Sequence, residues 1–183
     1  MKFVKLTMLA ALFSLCVSSA KAVDSLALDT DASKIGFVGK KTDGSHAGGF
    51  KKFNAVAVAD FETPTNGSLS IDIDTTSLWS DDEKLTNHLK NPDFFDVRKY
   101  SKITFKSTQI LPGDVEGKVV MKGDFTMLGK TAEINVPCTA TVTDKQVEVD
   151  ATFVIDRTRW GMTYGEGKIN SDVDVTAHLV FNR

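Results

Sequence analysis

Cysteine is nearly missing from this chain: 183 residues hold only Cys16 and Cys138. Cys16 lies in a segment that reads as an export signal, so Cys138 is expected to stand alone in an oxidising compartment, where no internal disulfide can form. It falls on the apolar side of its strand, the ordinary place for a buried small residue. Histidine is scarce too, with His46, His88 and His178 the full set. They show no metal-ligand spacing, so neither a metal nor a cofactor is expected. Two tryptophans and two tyrosines are too few for the aromatic girdles of a membrane barrel. The chain also lacks a Gly-x-Ser-x-Gly elbow, a Cys with a nearby His and a phosphate-cradling glycine loop, so no catalytic residue is nominated. Asp72, Asp74, Asp150, Asp172 and Asp174 alternate along strands, which suits a solvated face better than a shared catalytic carboxylate site.

The N-terminus reads as a removable signal. Lys2 and Lys5 form a basic start, Leu6 to Val17 is largely apolar, and Ala20-Lys21-Ala22 places small residues at the cleavage positions. Cleavage is expected after Ala22, with periplasmic or secreted localisation. The apolar run is too short to span a bilayer and no second run follows it, so no stable membrane span is expected. A lipoprotein reading of Cys16 is weakened by Leu15, where that signal wants a small residue. Removing 1–22 takes away three lysines and no acid, shifting the formal charge from −2 to −5 over residues 23–183. Such a chain is expected to form one domain and not to bind nucleic acid.

What remains is dominated by period-two alternation. From Thr131 to Thr143 every second residue (Ala132, Ile134, Val136, Cys138, Ala140, Val142) is small or apolar, and the residues between are polar or proline. Val119 to Met127, Val147 to Ile155 and Val173 to Phe181 repeat the scheme, with short turns at Leu128-Gly129-Lys130 and Asp144-Lys145. Four such strands in succession predict an antiparallel meander. Ser33 to Thr42, Phe50 to Phe61, Ser68 to Thr75 and Lys102 to Leu111 are strand-like as well, with Gly48-Gly49 and Pro64-Thr65-Asn66-Gly67 as breaks. Eight antiparallel strands with one apolar face predict an all-β barrel, a two-sheet sandwich being the alternative.

One stretch, about Asp81 to Leu89, breaks the alternation and predicts a short helix. Ser80 or Asp81 can cap it, Leu85 and Leu89 form an apolar i, i+4 pair, and Asn91-Pro92 stops it. It is placed to cover a barrel mouth or side. Ala132, Ala140, Ala151, Ala177 and Gly123 fall on the presumed inner face and are expected to leave space for an apolar ligand beside Phe125, Phe153 and Phe181.

Three segments together resemble the YceI-like family of exported lipid-binding proteins. They are Ser33 to Phe53 with its Gly49-Phe50, the block from His88-Leu89 through Phe94-Phe95-Asp96 to Lys99-Tyr100 and Ile103-Thr104-Phe105, and Ile155-Asp156-Arg157 with Trp160-Gly161. The resemblance implies an eight-stranded antiparallel lipocalin-like β-barrel with one short helix. It also implies a pore for an isoprenoid or other long-chain amphiphile, and it allows a homodimer. Leu85-Thr86 stands where the family often has Arg-Asp, and Ser101 where it has proline. The ligand contacts expected on this basis are the inward residues Phe37, Phe50, Leu85, Leu89, Phe94, Phe105, Phe125, Phe153 and Trp160. Packing by Phe94-Phe95 and a local Asp156-Arg157 charge pair are the structural alternatives for those motifs.

The function these features favour is a non-catalytic carrier or sequestering protein. An integral outer-membrane barrel, with its apolar residues outward, and an enzyme acting on a lipid-like substrate in the same pocket are the alternatives.

Overall fold

The computed structural model describes residues 24–183; the expected signal segment and its cleavage point lie outside the described residues. The strands are β1 (Asp24–Lys41), β2 (Gly44–Phe50), β3 (Phe53–Ala59), β4 (Ser68–Asp74), β5 (Leu78–Ser80), β6 (Lys102–Pro112), β7 (Lys118–Met127), β8 (Lys130–Val142), β9 (Gln146–Asp156) and β10 (Ile169–Asn182). Among the described residues one α-helix, α1 (Glu83–Leu89), follows β5.

Strands β7 to β10 form the expected meander, which β6 extends by one strand, each antiparallel to the next. Strand β10 then pairs along β1, whose first residues pair with β3, which pairs with β4, which returns to β6. This closes an antiparallel barrel of eight strands and excludes the sandwich. Strand β1 pairs with β3 along its start and with β2 along its later part, so closure satisfies most backbone groups of these strands without a second sheet.

The first half differs from its sequence pattern in three places. Strand β1 begins well before Ser33, because a bulge between Asp29 and Lys34 interrupts the alternation without ending the strand. Buried Ser33 pins that bulge, its hydroxyl donating to the Asp29 carbonyl (2.6 Å) and accepting the Val180 N–H (2.9 Å). Gly48-Gly49 is not a break but part of β2, paired with Phe37 and Gly36; the break falls at Lys51-Lys52, so Phe50 ends β2 and the strand expected over Phe50 to Phe61 begins at Phe53. A Cβ at Gly48 would stand 2.5 Å from the Phe37 ring, and one at Gly49 2.5 Å from the Ile35 carbonyl. These glycines serve close approach. The third difference is β5, a short strand that extends the sheet beyond β2 at one end of the barrel.

Helix α1 starts later than expected. Its cap is Asp82, whose carboxylate accepts the Leu85 N–H at 2.7 Å, rather than Ser80 or Asp81.

The core is graded along the barrel axis. Around the N-terminus of β1 and the C-terminus of β10, Leu26, Leu69, Ile110, Met121, Cys138, Val147, Val149, Leu179 and Phe181 are buried, Phe181 with no exposed surface. At the other end, inward residues such as Phe37, Phe125, Ile169, Val173 and Val175 are only partly buried. Their exposed surface faces an internal space.

Candidate functional site

That space is a cavity of about 270 Å³ opening at the α1 end. Its apolar wall comes from β1 (Ile35, Phe37), β2 (Phe50), β4 (Ile73), α1 (Leu85, Leu89) and the segment after it (Phe94, Phe95). Ile103, Phe125, Met127, Ile155, Met162, Ile169, Val173 and Val175 complete that wall. Lys40, Lys41, His46, Ser80 and Arg157 are the polar side chains on the lining.

The cover over the mouth is held by specific bonds. Asp81 accepts the Ala47 N–H at 3.0 Å and lies 2.9 Å from His46 Nδ1, tying the approach to α1 onto β2. These two bonds, the backbone N–H first, hold its carboxyl below the usual range. The Thr86 hydroxyl accepts the Ser80 N–H at 2.8 Å. Beyond the helix, Phe95 N–H donates to the Leu89 carbonyl and Val97 N–H to that of Lys90, folding the chain back under α1. Phe95 then packs with Phe37 and Phe50, ring centroids 5.8 to 6.1 Å apart. On the far side His88, Phe94 and Tyr164 meet at 5.0 to 5.1 Å. Tyr164 comes from the loop before β10, so aromatic contacts join that loop to the helix.

Six of the nine expected contact residues line the cavity: Phe37, Phe50, Leu85, Leu89, Phe94 and Phe125. Phe105, Phe153 and Trp160 do not. Phe105 is buried in the core and Phe153 packs against it. Trp160 has no exposed surface; its Nε1–H donates to the Phe125 carbonyl at 3.0 Å, and its ring stands edge-on to Phe125 at 5.1 Å. It supports a lining residue instead of being one.

The small residues expected to make room for a ligand also lie elsewhere. None of Ala132, Ala140, Ala151, Ala177 and Gly123 lines the cavity. At Gly123 a Cβ would stand 2.6 Å from the Phe105 ring. Its missing side chain accommodates a core aromatic.

Arg157 borders the cavity although it is not among the expected contact residues. Only 3 % exposed, it borders both the apolar cavity and a polar cavity of about 320 Å³. Its guanidinium donates to the carbonyls of Asn170 (3.0 Å), Met162 (2.7 Å) and Ile169 (3.3 Å). Burial lowers its pKa from the usual value, against the opposing charges of Asp156 and Glu166. The expected Asp156-Arg157 charge pair is thus not what orders the turn. Asp156 instead accepts the Thr158 hydroxyl (2.6 Å) and N–H (2.9 Å), which hold its carboxyl below the usual range. The signal available in the sequence was a charged residue between a strand and a tryptophan, with no indication of its carbonyl partners.

Elsewhere, each histidine lies beside a carboxylate: His46 at Asp81, His88 at Asp93 (3.1 Å) and His178 at Asp150 (2.8 Å). Among the described residues no group of three or more His, Cys, Asp or Glu is placed to hold a metal ion. Burial pushes the Cys138 thiol up to about 11, so at neutral pH it is protonated and a poor nucleophile. On the outer face of β8 to β10, exposed Glu133, Asn135, Thr139, Asp150 and Asp172 alternate with the inward apolar row. A membrane-spanning barrel presents an apolar band there, so the lipid-facing alternative does not fit.

Comparison with known proteins agrees with this architecture. A model of the YceI-like domain matches residues 26–181. A UPF0312 protein of Vibrio cholerae is 36% identical over 87 residues, covering 48% of this chain and 46% of that protein. The chain thus aligns with about half the length of the curated relatives it matches. Among solved structures, BcnA of Burkholderia cenocepacia superposes with a TM-score of 0.79 at 28% identity, covering 84% of this chain and 98% of that one. A polyisoprenoid binding domain from Saccharophagus degradans, implicated in plant cell wall breakdown, has a TM-score of 0.69 at 16% identity, covering 88% and 99%. The latter likeness is one of fold alone.

Proposed function

The chain belongs to the YceI-like domain family, and from that premise we propose that it is an exported, non-catalytic carrier or sequestering protein. Its ligand is an isoprenoid or similar chain amphiphile held in the barrel lumen. The observation that carries this reading is the apolar cavity itself, open at one end of a barrel whose other end is packed. Burying a hydrocarbon chain there gains roughly 25 cal/mol per Å² of apolar surface removed from water. The polar residues on the lining have partners already. Lys40 pairs with Asp174, Lys41 with Asp43 and His46 with Asp81, and Arg157 is held by carbonyls.

Native mass spectrometry and lipid extraction of protein purified from its own host test the proposal. A co-purifying amphiphile is the expected result. An empty barrel that neither binds chain ligands nor melts higher in their presence would remove the proposal. Export is supported by the basic start, apolar run and small residues at Ala20 and Ala22. The mature N-terminus of the cell-envelope or secreted protein is expected to be Val23; an uncleaved cytoplasmic chain would contradict it.

A further inference from the structure

We propose that the polar cavity beside the lumen is a binding site for a phosphate group, with Arg157 supplying the buried charge and Thr42, Lys168 and Ser171 the further donors. The phosphate is a free ion or the head of an amphiphile whose chain lies in the lumen, the second source resting on the lumen as a binding site.

Arg157 is a cation enclosed by protein. At 3 % exposure its charge is largely removed from water, a costly placement unless the charge is paired. Three carbonyls, those of Asn170, Met162 and Ile169, take one N–H each. A guanidinium carries five N–H groups and keeps its proton in a protein, so two N–H groups and the whole positive charge remain beyond those bonds. Among the described residues no carboxylate forms an ion pair with it. Neighbouring Asp156 is bonded to Thr158, and Glu166 acts on it only through its longer-range charge. Neutral donors could clamp the same carbonyls; the charge itself is left for a partner of opposite sign.

The lining around it is polar and rich in donors. Lys168 is exposed and forms no ion pair among the described residues, and the hydroxyls of Thr42 and Ser171 have no hydrogen-bond partner among them. Thr158 also borders the cavity, but its hydroxyl is given to Asp156. Glu166 is the carboxylate on this lining, so the two cations Arg157 and Lys168 outweigh one acid. Several donors around a fixed guanidinium suit phosphate, whose oxygens accept from several directions and match the planar fork of arginine. Arg157 and Ile169 border both cavities, which sets a phosphate held here next to a chain in the lumen.

Calorimetry on the protein with inorganic phosphate, octyl phosphate and octanol tests the site, with octyl phosphate kept below its micelle concentration. Octyl phosphate is expected to bind at least about tenfold more tightly than octanol. Ser171→Asp, which adds a carboxylate to the lining, is expected to abolish that advantage, and Glu166→Gln, which removes one, to increase it about threefold. Both positions are exposed, so neither substitution disturbs the core, and an Arg157 that only clamps carbonyls predicts no response to either. Binding of inorganic phosphate alone, with the same responses to the two variants, identifies a site for the free ion; responses confined to octyl phosphate identify a head-group site. Equal affinities for octyl phosphate and octanol with no binding of inorganic phosphate overturn the phosphate site while leaving the lumen's role intact. Phosphate binding that neither variant changes overturns it as well. Phosphate binding without any binding of octanol or of longer isoprenoid alcohols supports the site and removes the lumen reading instead.

Discussion

The two ends of this barrel are built from the same alternating strands yet do opposite things with their apolar faces. At the end where β10 finishes, Leu179 and Phe181 are almost wholly enclosed and the inward residues fill the lumen. At the α1 end, Phe37, Val173 and Val175 face inward but keep exposed surface toward a cavity. The pattern of apolar positions cannot distinguish these outcomes. Side-chain volume and what crosses the mouth decide them: Phe105 fits over Gly123 in the packed core, whereas the open end is roofed by α1 and its aromatic contacts and is not filled.

The largest expected effect is at the packed end. Phe181→Ala should cost about 3–5 kcal/mol, the range for removing a fully buried aromatic, measured by denaturant unfolding. A loss well under half that would mean this end is not packed as described. Phe37→Ala, at the open end, should cost less, about 1–2 kcal/mol, because its ring is only partly buried. It should nonetheless weaken any stabilisation by a chain ligand, read as a smaller rise in melting temperature. Equal stability losses from the two substitutions would erase the contrast between the ends.

Smaller effects test the cover. Asp82→Ala removes the α1 cap and should cost about 1 kcal/mol, with hydrogen exchange accelerating in α1 more than in β9. Asp156 reports on the turn beside Arg157. Its folded pKa lies below the ordinary 3.8 because of the Thr158 bonds, so its contribution is present above that value and is lost as pH falls through the lower folded pKa. Asp156→Asn should therefore flatten the acid limb of stability below about pH 4, measured by melting temperature against pH. An unchanged limb would mean that the turn does not depend on this carboxylate.

Sequence patterning reads β6 to β10 well because each has one face in the core and hairpin partners close in the chain, so alternation and turn chemistry agree. It reads β1 to β5 less well. The bulge at Asp29 to Ser33 is a local irregularity whose anchor, the Val180 N–H, is 147 residues away. Gly48-Gly49 resembles a break because glycine marks turns, yet the reason for glycine there is the Phe37 ring on a neighbouring strand. The same limit applies to the cavity. Phe37, Phe50 and Phe94 are legible as inward aromatics near the helix. The enclosure of Trp160, fixed by the carbonyl of Phe125, and the role of Arg157 as a clamp on three carbonyls depend on partners that no local pattern encodes.

Methyl NMR during titration with a straight-chain alkanol tests the division between the two ends most directly. Shifts are predicted at Ile35, Ile103, Ile155, Val173 and Val175, which line the cavity, with Leu26, Leu69, Val147 and Leu179 unmoved. Perturbation centred on the second group, or on neither at saturating ligand, would contradict the account.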